Sequence, residues 1–242
     1  MILADTHLLG KIKGHWLDKL RREWQMRRCF QTAVSWLNPD AVFFLGDVFD
    51  EGQWATDDDF EVYSARFEEL FSVPESTERF VVVGNHDAGF HYALMPPHLD
   101  RFSKKFKTKN TVDHVEVGGN HFVLINSMAM EGDGCSLCFS AEEEIRKLKK
   151  RFDCSLNRAC ESGFRSNYSR PVLMQHFPLF RESDEVCENA EDLAPDDILE
   201  EILQLLRVYC SFFLLEEQQM AVLLALDDIS RRDENFEVYD AT

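Results

Sequence analysis

Four polar clusters in this sequence carry residue types suited to holding metal ions: Asp5-Thr6-His7, Gly46-Asp47-Val48-Phe49-Asp50, Gly84-Asn85-His86-Asp87 and His176. The first three lie roughly forty residues apart, a spacing that fits one strand–helix–strand unit each. Carboxylate, imidazole and amide donors together make a mixed oxygen and nitrogen set. That set suits Mn²⁺, Fe or Zn²⁺ better than a soft metal bound by thiolates. A carboxylate such as Asp47 can bridge two ions about 3.5–4 Å apart, which clamp a phosphoryl group, acidify a water and stabilise the charge developing in an in-line displacement. Taken singly, each cluster reads as a turn, a helix cap or a hydrogen-bonded histidine. Their joint order at the ends of apolar runs is what points to a site.

Those apolar runs supply the positioning elements. Residues 1–4 are a short apolar run that stops at Asp5, Ala41–Leu45 stops at Gly46-Asp47, Phe80–Val83 stops at Gly84-Asn85, and Pro171–Met174 leads to Gln175-His176. Continuous apolar strands alternating with helices predict a buried, largely parallel sheet, in which ligands gather beyond the carboxyl ends of the strands. The intervening helices are predicted over 16–37, with Leu17, Leu20, Trp24, Phe30, Ala33, Val34 and Leu37 as the apolar stripe, and over 57–71. Val115–Val117, Gly118-Gly119-Asn120 and Phe122–Ile125 predict a β-hairpin. Ser140–Arg151 is expected to be helical with Ser140 as its cap, and 153–169 a loop. An acidic loop over 181–197, a helix over 198–226 and a polar, frayed tail from Asp227 complete the reading.

The four clusters resemble the calcineurin-like metallophosphoesterase family, whose pattern runs Asp-x-His, Gly-Asp-x-x-Asp, Gly-Asn-His-Asp/Glu, His and then Gly-His-x-His. The resemblance implies an α/β fold of β-sheet layers flanked by helices. It implies a centre of two divalent ions, Mn²⁺ first, with Fe or Zn²⁺ as alternatives. By it, Asp5 and His7 hold one ion, Asp47 bridges, and Asn85 and His176 hold the other. His86, paired with Asp50, then contacts the phosphoryl oxygen or donates a proton to the leaving group. The segments HWLDKLRREWQM, FFLGDVFDEGQW, GNHDAGFHYALM, LINSMAMEGDGCSLC and PVLMQHFPLFRESD resemble one branch of this family. That branch implies hydrolysis of a phosphodiester, the ethanolamine phosphate on GPI-anchor glycans. It also implies a place in endoplasmic reticulum and Golgi membranes, where it aids the exit of anchored proteins. Protein phosphatases of the family carry Arg directly after the second Asp of Gly-Asp-x-x-Asp, where Glu51 stands here. A carboxylate at that place is expected to disfavour a dianionic monoester more than a diester.

No histidine follows His176, so the family's Gly-His-x-His is not found. The expectation is a phosphoesterase domain over 1–195, incomplete on its C-terminal side, joined to a divergent helical tail over 196–242. A catalytically impaired module or truncated isoform is the alternative. The formal net charge of −18 argues against a nucleic-acid partner, which would need a basic surface to displace counterions. Neither a signal peptide nor a membrane-spanning stretch is read in the sequence, although membrane association is expected of the full-length family protein. The seven cysteines include Cys135-x-x-Cys138, read as a local disulfide or structural thiols before a redox pair, and Cys154, Cys160 and Cys187. His91 is a candidate to face substrate; His114 and His121 flank the hairpin as structural or exposed residues.

Overall fold

A computed structural model describes residues 1–157, 169–177 and 237–239 of the 242-residue chain. Strands β1 (Ile2–Leu3), β2 (Ala41–Leu45) and β3 (Glu78–Val82) form a parallel sheet in that order. A second sheet has the order β4 (Val112–Val117), β5 (Asn120–Ile125), β6 (Val172–Gln175) and β7 (Glu237–Tyr239). In it β4 and β5 are antiparallel, and β6 and β7 add in parallel. The helices are α1 (Trp16–Leu37), α2 (Asp57–Leu70), the single turn α3 (Asn85–Ala88), α4 (Pro96–Phe106) and α5 (Ser136–Asn157).

Alternation along the strands shows why both sheets are needed. Val42 and Phe44 of β2 pack with Phe30 of α1 and Phe67 of α2, whereas Ala41, Phe43 and Leu45 pack on Leu124 and Met174 of the second sheet. Val112, Val123 and Ile125 of that sheet face Ala141, Leu148 and Phe152 of α5. The layers are therefore helix, sheet, sheet, helix, and β2 is apolar throughout because both of its faces are covered. Phe44 is fully buried and meets Phe30, Phe67 and Phe71 at ring-centroid distances of 6.0, 4.9 and 5.1 Å. Phe44→Ala is expected to cost about 3–5 kcal/mol in chemical denaturation, whereas the exposed Val62→Ala stays within about 0.5 kcal/mol.

Local chemistry sets the element ends. His15 caps α1 by accepting the Leu17 amide (3.2 Å), and Asn38 ends it in the left-handed region at φ 43°. Gly118 and Gly119, at φ 58° and 79°, make the two-residue turn of the β4–β5 hairpin, where left-handed backbone at both positions suits glycine.

The structure corrects several sequence expectations. Among the described residues there are two sheets, and His176 directly follows β6 of the second. Helix α5 begins at Ser136, and Ser140 lies inside it; the three glutamates after Ser140 imitate a first turn, but the backbone bond from Phe139 N to the Cys135 carbonyl (2.9 Å) already belongs to the helix. Residues 153–157 are still helical. The expected stripe of α1 is buried at Phe30 and Val34, together with Met26, while Leu17, Leu20, Trp24 and Leu37 are exposed. A helix of this length spans about 33 Å, and a five-residue strand only about 17 Å, so much of α1 overhangs the sheet. The polar tail contributes β7, which pairs with the outer side of β6 and so covers backbone groups that would otherwise form an open edge. The acidic loop over 181–197 and the helix over 198–226 lie outside the described residues. Among the described residues no helix is long and apolar enough to cross a membrane.

Candidate dimetal site

The loops leaving β1 and β2 are stitched together beyond the strands themselves. Asp5 N donates to the Gly46 carbonyl (3.2 Å), His7 N to Asp47 O (3.0 Å), Leu8 N to Val48 O (3.0 Å) and Asp50 N back to Leu8 O (3.1 Å). The Thr6 hydroxyl adds a bond to Val48 O (3.1 Å). This pairing holds Asp5, His7 and Asp47 in left-handed backbone at φ 55°, 39° and 48°. Asp and His reach that region more readily than most residues, yet it remains strained, and strain of this kind concentrates at functional sites.

Two glycines let the loops approach. A Cβ on Gly84 would come within 2.2 Å of Asp47 N and Oδ1. A Cβ on Gly46 (φ 90°) would come within 2.6 Å of the His176 ring. Beside them Asp87, fully buried, accepts the Phe49 amide through Oδ1 (2.9 Å) and the Gly84 amide through Oδ2 (2.8 Å), bracing the second loop against the third. Burial and the nearby Asp47 carboxylate push the Asp87 carboxyl up to about 7.

Asp47 sits at the centre and is 3% exposed, so its charge has little water to lean on. Its Oδ1 accepts the His86 amide (2.8 Å) and lies 3.3 Å from His176 Nε2. Its Oδ2 lies 3.5 Å from His7 Nε2 and 4.0 Å from His86 Nε2. His176 Nε2 also reaches Asn85 Oδ1 (3.1 Å), and its Nδ1 contacts the Leu45 carbonyl (2.8 Å). The Ser127 hydroxyl accepts both the His176 and Phe177 amides (3.0 and 2.9 Å), which fixes the end of β6. His7 Nε2 is 3.5 Å from Asp5, and its Nδ1 is 3.2 Å from Asp50 Oδ1. His86 Nδ1 lies 3.0 Å from the Asp50 carbonyl and 3.5 Å from its carboxylate.

All seven residues singled out in the sequence thus converge. Six of them form two compact sets of donors, Asp5/Asp47/His176 and His7/Asp50/His86, each with its ligand atoms within 4.8 Å of one another, and Asn85 joins through its Oδ1 contact with His176. His7 touches both sets, and the Asp50 carboxylate is nearer to His7 than to His86. Burial alone would pull the His176 proton off, but the Asp47 hydrogen bond and charge, with Asp5 behind it, hold its pKa up at about 9. His7 is raised too: burial opposes the charge, and Asp5, Asp47 and Asp50 outweigh it. Burial likewise works against the Asp47 carboxylate, but His176, His7 and His86 hold its pKa low. A pocket that retains a proton on His176 so far above its ordinary range is one in which carboxylates attract positive charge. The hard oxygen and nitrogen donors therefore fit divalent cations.

Glu51 departs from the expectation that it faces a bound phosphate. It is 1% exposed and its carboxylate accepts the backbone amides of Ile12 (2.9 Å) and Lys13. It latches the loop over 10–13 across the site, and that latch places the Lys13 ammonium 3.3 Å from Asp50 Oδ2 and over the Trp54 ring. Glu51→Ala is expected to cost about 2–3 kcal/mol in stability, because two charge-assisted bonds vanish and two amides lose their partner. It is also expected to raise KM more than it lowers kcat, since the loop position and not the reacting centre is disturbed.

Residues missed by sequence reasoning are Asp87, Ser127 and Lys13. Asp87 was visible inside its motif, but its bracing role depends on a distant amide. Ser127 and Lys13 carry no local signal. His91 was a candidate to face substrate; its Nδ1 meets the Met128 carbonyl (2.7 Å) and its Nε2 meets Asp133 (2.8 Å). His121 is fully buried beside His114 (3.1 Å) and Phe152.

The calcineurin-like phosphoesterase family model matches residues 1–209. The chain belongs to that calcineurin-like phosphoesterase family. Two curated members named metallophosphoesterase 1 agree with this: the Gallus gallus protein is 50% identical over 204 residues and the Cricetulus griseus protein 48% identical over 201. Each alignment covers 81% of this chain and 50% of the relative. This chain thus spans about half the length of the curated relatives it matches. Among solved structures, a purple acid phosphatase from yellow lupin matches with a TM-score of 0.46 at 13% identity, over 73% of this chain and 29% of its own.

Proposed function

We propose that this chain carries the catalytic centre of a phosphodiesterase that works with two divalent cations, Mn²⁺ foremost. Asp5 and His7 would hold one ion, Asn85 and His176 the other, and Asp47 would be shared between them. The observation that carries this reading is the buried Asp47 carboxylate, whose two oxygens face His176 on one side and His7 and His86 on the other. When bound, the ions supply Lewis-acid polarisation of the phosphoryl group and a water acidified for attack. The protein's own part is orientation. The Leu45 carbonyl and Ser127 fix His176, Asp87 fixes the turn that presents Asn85 and His86, and Asp50 steadies both His7 and His86. His86 Nε2 lies toward the centre and is the group that contacts the phosphoryl oxygen or passes a proton to the leaving oxygen.

The branch resemblance and the charge of the site support a diester substrate. This chain carries four of the five parts of the family's motif pattern, and the branch resemblance implies ethanolamine phosphate on a GPI-anchor glycan in the endoplasmic reticulum and Golgi membranes. A diester carries one negative charge, which suits a site already crowded by Asp5, Asp47 and Asp50. With Mn²⁺ supplied, bis-(p-nitrophenyl) phosphate is expected to turn over at least about tenfold better in kcat/KM than p-nitrophenyl phosphate, a difference of about 1.4 kcal/mol in transition-state binding. Release of ethanolamine phosphate from a GPI glycan is the second assay. Preference for the monoester would sink the diesterase reading. Stoichiometric Mn²⁺ binding with neither ester hydrolysed would select a second reading, a metal-binding module without turnover.

A further inference from the structure

A second donor cluster lies apart from the site above and has a different chemistry. His91, Asp133, Cys135 and Cys138 offer one ligand atom each within 4.8 Å of one another. Cys135 and Cys138 are joined as a disulfide in this structure, at the start of α5. The Asp133 carboxylate stands between them and His91: one oxygen meets His91 Nε2 (2.8 Å), and the other lies 3.3 Å from Cys138 Sγ and accepts the Cys135 amide (3.0 Å). His91 turns its Nδ1 to the carbonyl of the fully buried Met128 (2.7 Å). A backbone carbonyl on one ring nitrogen is the arrangement that fixes a metal-ligating histidine; the other nitrogen is aimed into the cluster, donates to Asp133 in this structure, and gives up that proton when it ligates.

We propose that this cluster is a Zn²⁺ site that exists when the Cys135–Cys138 bond is reduced. The donor set is two sulfurs from a C-x-x-C pair, one imidazole and one carboxylate. That is a four-coordinate set soft enough to prefer Zn²⁺ over the oxygen-loving ions of the other site. The disulfide and the metal are alternatives. A dithiol reductant delivers two electrons and two protons, the Sγ–Sγ bond breaks to two thiols, and the reductant is left as its own disulfide. Zn²⁺ then binds both sulfurs as thiolates and His91 as a neutral imidazole through Nε2, and the two thiol protons and the Nε2 proton leave to solvent. His91 lies just beyond α3, which carries Asn85 and His86, and the cysteines lie at the head of α5. The bound ion therefore staples the third motif loop to the second sheet's helix, and it does so only under reducing conditions.

The test uses the full chain, reduced with dithiothreitol, freed of reductant under nitrogen and titrated with Co²⁺ in place of Zn²⁺. The other site holds no sulfur, so a thiolate-to-metal charge-transfer band does not come from it, and loss of the band in Cys138→Ser assigns it to this cluster rather than to the chain's other cysteines. One equivalent of band is expected in the reduced chain, none in the disulfide form and none in Cys138→Ser. His91→Ala and Asp133→Asn keep both sulfurs and serve where the cysteine variant folds poorly; each is expected to weaken Co²⁺ binding at least about tenfold. Added Zn²⁺ is expected to bleach the band. Absence of the band after verified reduction overturns the proposal, as does titration of His91→Ala and Asp133→Asn indistinguishable from the parent chain.

Discussion

Asp47→Asn is expected to abolish Mn²⁺-supported turnover, with a fall of at least about 100-fold, while the chain keeps its fold. Loss of a partner that merely orients a metal ligand costs about 10–100-fold, and Asp47 is proposed as the bridging ligand itself. The amide keeps an oxygen that can accept the His86 amide at 2.8 Å, so the turn bearing Asn85 and His86 has no reason to open. What the amide lacks is charge. The His176 proton, held up to about pH 9 by this carboxylate, loses its main support, and so does any cation in its place. Metal analysis after loading and desalting, run beside the ester assay, checks both halves. Near two ions in the parent and near none in the variant is the expected pair. Turnover equal to the parent's would remove Asp47 from the mechanism.

The second large effect is Gly46→Ala. Added here, a Cβ meets the His176 ring at 2.6 Å and must also adopt φ 90°, which side chains rarely tolerate. Neither conflict can be relieved cheaply, because His176 is pinned at Nδ1 by Leu45 O and at its amide by Ser127. A cost of about 2–4 kcal/mol is expected, from overpacking of about 1–3 and backbone strain of about 1. Gly118→Ala isolates the second contribution, since that glycine also has positive φ (58°) but nothing within 4 Å of its added Cβ. It should lose only about 1 kcal/mol. Equal melting temperatures for the two variants would mean that the contact between Gly46 and His176 is slack.

Legibility from the sequence followed how local each determinant is. The bounds of α1 and β2 were readable because Asn38-Pro39 punctuates the helix and every residue of β2 is apolar. The donors were readable because strand ends, glycines and carboxylates fall at fixed offsets. Sheet membership was not, because an apolar run such as Val172–Met174 is the same whichever sheet it joins. The overhang of α1 was hidden for a related reason: Leu20 and Trp24 satisfy helical periodicity, but burial depends on how far the sheet extends beneath them. Glu51 misled in another way. Its place in the motif suggested contact with phosphate, whereas its side chain is spent on two amides of a loop some forty residues earlier. The start of α5 was obscured by the acidic run after Ser140, which has the composition of a first turn without being one.

The bond between His176 and the Leu45 carbonyl joins positions separated by 131 residues and closes the seam between two sheets. In folding terms it is among the costliest contacts to make early, since the intervening chain must be organised before those partners meet. The motif loops after β1, β2 and β3 can assemble with the first sheet alone, but the complete donor set cannot. Tight cation binding in refolding should therefore lag behind formation of the first sheet and coincide with docking of the second. The cation would then act as a late checkpoint, rewarding only chains whose two halves have found each other.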